Sequence, residues 1–105
     1  QLSEVTAQAA GSELLALAYA GDPAAADLAE QLLAEVGDVV TPYAAYVWYC
    51  AGEADLGVDL DRARTRLARA RQLAEATHAS FVAGLAGASK ASIDARVGDP
   101  QAAAD

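Results

Sequence analysis

The sequence has a single cysteine, no methionine and few aromatic residues. Because Cys50 stands alone, an intrachain disulfide and a multi-cysteine zinc site are both excluded. The longest apolar run, residues 39–51, is interrupted by Thr41 and Pro42, and it falls short of the roughly 20 residues that span a bilayer. We therefore expect a reduced cysteine in a helical core, no membrane anchor and a cytoplasmic protein.

Basic residues are also scarce, because seven lysines and arginines face 15 acids and give a formal net charge of −8. Nucleic-acid binding needs a basic surface that neutralises phosphates, so this balance argues against direct nucleic-acid binding. No phosphate-binding glycine loop or nucleophile elbow occurs. His78 has no second histidine and no cysteine nearby, which favours a surface loop over a metal or base role. We expect no catalysis, no cofactor and no metal.

The composition favours helices. The chain is 105 residues long and 54% hydrophobic with only 6% aromatic residues, and much of the apolar share is alanine. Alanine is the best helix former, whereas the β-branched runs typical of strands are missing. One all-α domain over residues 1–105 is predicted, since this length supports a single modest core.

A central helix pair, residues 41–77, carries the clearest signals. Thr41 followed by Pro42 predicts an N-cap and a first helical residue. This helix is expected to run to about Leu56, and Gly57 to close it in the left-handed conformation. Asp59 is expected to cap the next helix. Small and large apolar residues recur along that helix at steps of three and four: Leu60, Ala63, Leu67, Ala70 and Ala74.

The turn before the second helix recurs along the chain. Gly21-Asp22-Pro23 is expected to end one helix and cap another, and Gly37-Asp38 to end that one; in the first segment, Gly11-Ser12 marks either a kink or the true helix start. The aspartates of the three turns, Asp22, Asp59 and Asp99, are 37 and 40 residues apart. This period predicts stacked hairpins over about 3–37, 41–77 and a truncated 79–105, with five to six helices.

The central pair resembles a tetratricopeptide repeat. The matching residues are Trp48, Ala51 and Gly52 in the first helix, and Ala63, Leu67 and Ala70 in the second. Asp55 departs from the pattern, because the family usually has tyrosine there. The resemblance implies a right-handed solenoid. The alanine-rich texture with its Gly-Asp-Pro turns also resembles the helical arrays of large actinobacterial transcriptional regulators of the LuxR or antibiotic-regulatory type.

One aromatic row is a candidate partner groove. Tyr46, Tyr49 and Glu53 lie at i, i+3 and i+7, so they share a helix face, which we call the tyrosine face. The resemblance implies that these positions line a concave peptide groove, where rings and an acid would suit a segment with a basic residue. The alternative is that both tyrosines pack between repeats.

Arginines form a second row. Arg62, Arg66 and Arg69 lie along one side of a helix, and no lysine or arginine precedes them. A solvated face neutralised by neighbouring acids explains the row. The sharper hypothesis is a basic interface that meets the acidic first hairpin of another copy or of the parent protein, and that weakens with added salt.

Together these patterns predict a non-catalytic helical-repeat module that binds a protein segment or other domains of a parent regulator. The alternative is a small-molecule-sensing domain in which the third hairpin and the tyrosines enclose a ligand. The chain starts Gln-Leu-Ser and its last residues, 100–105, begin a helix and stop, so we expect a piece of a longer protein. Its uncapped ends would favour self-association.

Overall fold

The computed structural model describes residues 3–79 together with Ser89 and Ile93. Four helices cover this part of the chain: α1 (Glu4–Tyr19), α2 (Ala24–Val36), α3 (Pro42–Ala54) and α4 (Leu60–Ala76). No strand occurs among these residues, so the all-α prediction is confirmed for them. The predicted fifth and sixth helices and the Asp99 turn lie outside the described residues, although Ser89 and Ile93 are helical.

Local capping explains where the helices of the central pair begin. The Thr41 hydroxyl accepts a hydrogen bond from the backbone N–H of Ala44 at 3.2 Å, with Pro42 as the first helical residue. The Asp59 carboxylate accepts one from the N–H of Arg62 at 3.0 Å. Each cap satisfies a backbone donor that the first helical turn leaves unpaired. Both predicted starts are confirmed.

The first hairpin is bounded close to its predicted turns, although α2 begins at Ala24, one residue after the predicted Pro23. Gly21 has a φ of 71°, which glycine adopts without steric cost, and its N–H donates to the Ala18 carbonyl at 3.0 Å. Asp22 then accepts a hydrogen bond from the N–H of Ala24 at 2.9 Å. At the other end of α1, the Ser3 hydroxyl caps the helix. The helix therefore runs through 11–12, and the alternative start at those residues is wrong.

The prediction for the end of α3 was wrong. This helix ends at Ala54 rather than Leu56, and Gly57 is not among the described residues with positive φ. The chain instead leaves α3 through tight right-handed turns, in which the N–H of Asp55 donates to Gly52 at 3.1 Å and that of Val58 donates to Asp55 at 2.9 Å. No left-handed residue is needed, because these turns already pair the last carbonyls.

Helix α3 is the centre of the described part. It packs against α1, α2 and α4, whereas α4 makes no close backbone approach to α1 or α2. The α3–α4 crossing is tight at Gly52, where a Cβ atom would lie 2.7 Å from Leu67 Cγ. Three small residues that match the tetratricopeptide pattern are fully buried at this crossing: Ala51, Ala63 and Ala70. Small side chains thus let the two helix axes approach, as the pattern predicts.

His78 closes α4 in an exposed turn. Its φ is 61°, the one non-glycine residue with positive φ in the described part. The N–H of the next residue, Ala79, donates to the Ala74 carbonyl at 2.7 Å, so the left-handed residue folds the chain back over the helix end. Its exposure in this turn agrees with the predicted surface position.

Candidate functional site

The tyrosine face lies where α3 packs against α1. Gly11 of α1 faces it, and a Cβ atom there would lie 2.8 Å from a ring carbon of Tyr46 and 3.0 Å from the Cys50 sulfur. This close approach brings the Tyr46 hydroxyl to 3.2 Å from the Ser12 Oγ, where the two share a hydrogen bond. Tyr46 stays half-buried, with its ring against α1 and its hydroxyl at the rim.

The other two members of the tyrosine face differ in accessibility. Tyr49 is only 8% exposed, and its ring centroid lies 6.4 Å from that of Tyr46 in a tilted arrangement. Glu53 is half-buried, and its Oε2 accepts a hydrogen bond from the Ser89 hydroxyl at 2.7 Å. Tyr49 is therefore buried, whereas Tyr46 and Glu53 are half-buried and each keep part of their surface accessible.

Tyr19, at the end of α1, borders the tyrosine face and was not predicted. The residue is 71% exposed, so its ring is accessible to a partner. Partial burial raises the pKa of the Tyr19 hydroxyl, and the negative charge of Glu53 raises it further. The phenol is therefore within electrostatic reach of that acid. Two signals could have found it: Tyr19 directly precedes the Gly21 turn, and it ends the helix that neighbours α3.

The groups at this face suit hydrogen bonding rather than proton transfer. Burial raises the pKa of the Tyr49 hydroxyl to about 12, with smaller contributions from Glu53 and Tyr19. Burial likewise raises the pKa of the Cys50 thiol to about 12. Both groups are neutral at physiological pH, and a neutral buried thiol is a poor nucleophile.

The arginine row is divided by the fold. Arg66 is only 7% exposed, and its guanidinium pairs with Glu30 of α2 and with Asp55 at 2.9 Å. Arg62 is partly exposed and donates to both oxygens of Asp55, at 3.0 and 2.8 Å. Arg69 is half-buried. The Arg66 guanidinium is therefore buried and paired with acids of its own chain. It is not accessible for the predicted basic interface with another molecule.

Asp55 holds this network together, and sequence reasoning assigned it no role. It is 4% exposed and receives three N–H donors from two guanidinium groups, which replace the water that burial removes. The departure from tyrosine at this position was a usable signal, since an acid just after α3 can face the arginine-rich helix of the same hairpin. The network also joins the two hairpins, because Glu30 belongs to the first.

A pocket of about 320 Å³ opens between the α1–α2 turn and the α3–α4 connection. Asp22, Asp55 and Arg62 contribute its polar surface. Small apolar side chains make most of the wall: Ala18, Ala25, Ala26, Ala29, Ala54 and Val58. The pocket shares no residue with the tyrosine face, and it is not the enclosure predicted between the tyrosines and the third hairpin.

Two further observations bound the chemistry of residues 3–79. They contain no group of three or more histidine, cysteine or acidic side chains arranged to hold a metal ion. None of their helices is both long and apolar enough to cross a bilayer.

In comparisons with known proteins, no family model matches the chain, and no curated protein or solved structure gives a significant match.

Proposed function

We propose that this chain is a non-catalytic helical-repeat module, similar to tetratricopeptide arrays, that binds a protein segment at the edge shared by α1 and α3. The observation that carries the proposal is that Tyr46 and Glu53 are both half-buried on one face of α3, with the exposed Tyr19 within electrostatic reach of Glu53. The parent molecule would be a cytoplasmic regulator of the LuxR or antibiotic-regulatory type.

The packing of the helices supports a stacked array. A hairpin repeat requires the first helix of one unit to pack on the preceding unit, and α3 contacts both α1 and α2 while pairing with α4. The Arg66–Glu30 ion pair adds a polar link between the two units. Ile93 is fully buried although it lies beyond the second unit, which supports a continuing stack.

The chemistry of the edge favours a segment with one basic residue flanked by apolar ones. Glu53 offers a carboxylate whose Oε2 already accepts from one hydroxyl, and each carboxylate oxygen accepts more than one bond. The Tyr19 ring offers apolar area and a face for a cation. The net charge of −8 steers basic segments toward the molecule.

Peptide display followed by affinity measurement tests the proposal. We expect selected peptides to contain lysine or arginine, and Glu53→Gln and Tyr19→Ala each to weaken their binding about tenfold. Glu35→Gln and Val58→Ala change an exposed acid and an exposed apolar residue elsewhere, and they should leave the affinity unchanged. Failure to select any peptide, or equal losses in all four variants, would refute the proposed groove.

A further inference from the structure

We infer that the pocket between the α1–α2 turn and the α3–α4 connection is a second binding site, for a small apolar molecule that carries one carbonyl or carboxylate group. This goes beyond the proposed partner edge, because the two sites have no residue in common. At about 320 Å³, the pocket falls in the range of small-molecule sites, roughly 300–1,000 Å³.

The alanine lining of the pocket is the reason to expect a ligand with an apolar body. Alanines of three helices line the pocket, so no side chain longer than a methyl group fills the space from α2. Gly21 also lines the pocket, in a left-handed conformation with a φ of 71°, and it has no side chain to occupy the space. An aliphatic or aromatic body would replace water there with apolar contact.

Arg62 explains the polar part. A guanidinium has five N–H donors, and Asp55 takes two of them, which leaves three with no hydrogen bond to another described residue. The Asp55 charge is already balanced by Arg62 and Arg66. The carboxylate of Asp22 accepts the N–H of Ala24 and belongs to an exposed residue, so water can satisfy its remaining acceptor capacity. Arg62 is therefore the lining residue with spare donors, and it calls for an acceptor in the ligand.

A matched set of three probes tests the inference on the full chain: 3-phenylpropanoate, 3-phenylpropanamide and 3-phenylpropylamine. They share one apolar body, and only the first two carry an acceptor. We expect saturable chemical-shift changes in labelled protein for the acid and the amide, at residues around the pocket, and binding of the amine at least about tenfold weaker.

Two variants, each with a matched control, locate the site. Ala26→Leu should abolish binding by filling the pocket, while Ala34→Leu, at an exposed alanine of the same helix away from the pocket, should preserve it. Arg62→Gln should weaken binding of the acid and the amide about tenfold, with Arg71→Gln as the control. Absence of binding by both acceptor probes, equal binding of the amine, or unchanged binding in Ala26→Leu would overturn the inference. These results do not depend on peptide binding at the tyrosine face, so either proposal can fail alone.

Discussion

Replacing Asp55 by asparagine should destabilise the domain far more than replacing any exposed acid. The carboxylate is 4% exposed and holds both Arg62 and Arg66, the second of which is 7% exposed. Removing one partner of a buried ion pair costs roughly 3–5 kcal/mol, because the other charge stays buried without compensation. Arg66 keeps its Glu30 partner and Arg62 can reach water, so we expect the lower end, about 3 kcal/mol.

Urea unfolding followed by circular dichroism measures this cost, and a thermal scan should show a fall in Tm of roughly 15 °C. Asp61→Asn is the matched control. Its carboxylate is 97% exposed and lies 3.8 Å from Arg64, so its loss should cost less than about 0.5 kcal/mol. If Asp55→Asn cost no more than the control, the buried network would not be a source of stability.

Three other perturbations have expected outcomes. Gly52→Ala should cost about 2 kcal/mol in urea unfolding, because its Cβ would press on Leu67, whereas Gly57→Ala meets open space and should be neutral or slightly stabilising; equal effects would contradict the tight crossing. His78→Gly should stabilise by about 0.5 kcal/mol by relieving a left-handed backbone, and a clear loss of stability would contradict this. Burial raises the pKa of the Cys50 thiol from 9.0 to about 12, so the folded state keeps a proton that the unfolded chain releases. The free energy of unfolding should therefore fall as pH rises from about 9 to 12, and less steeply in Cys50→Ala; identical slopes would refute this.

Helix boundaries were largely predictable because capping is local. At Thr41 and Asp59, the capping side chain and the N–H that it accepts from lie within four consecutive residues. Both caps are observed. The predicted left-handed conformation of Gly57 was wrong because glycine permits a left-handed turn but does not require one. The turns beginning at Asp55 already satisfy the last carbonyls of α3.

The candidate sites were less predictable, since they depend on contacts between distant segments. The Arg66–Glu30 pair joins residues 36 positions apart, and only the position of α2 relative to α4 turns that arginine inward. Helical spacing likewise placed Tyr49 on one face with Tyr46 but could not say that the face is partly covered. Tyr19 was missed for the same reason, because its proximity to Glu53 depends on how α1 packs on α3.

Chemical-shift mapping of a selected basic peptide on labelled protein shows directly whether the peptide binds at the edge shared by α1 and α3. We expect the perturbed amides to cluster at the end of α1 and along α3 around Tyr19, Tyr46 and Glu53, and Glu53→Gln to require about tenfold more peptide for the same changes. Perturbations confined to α2 or to the outer side of α4 would contradict it.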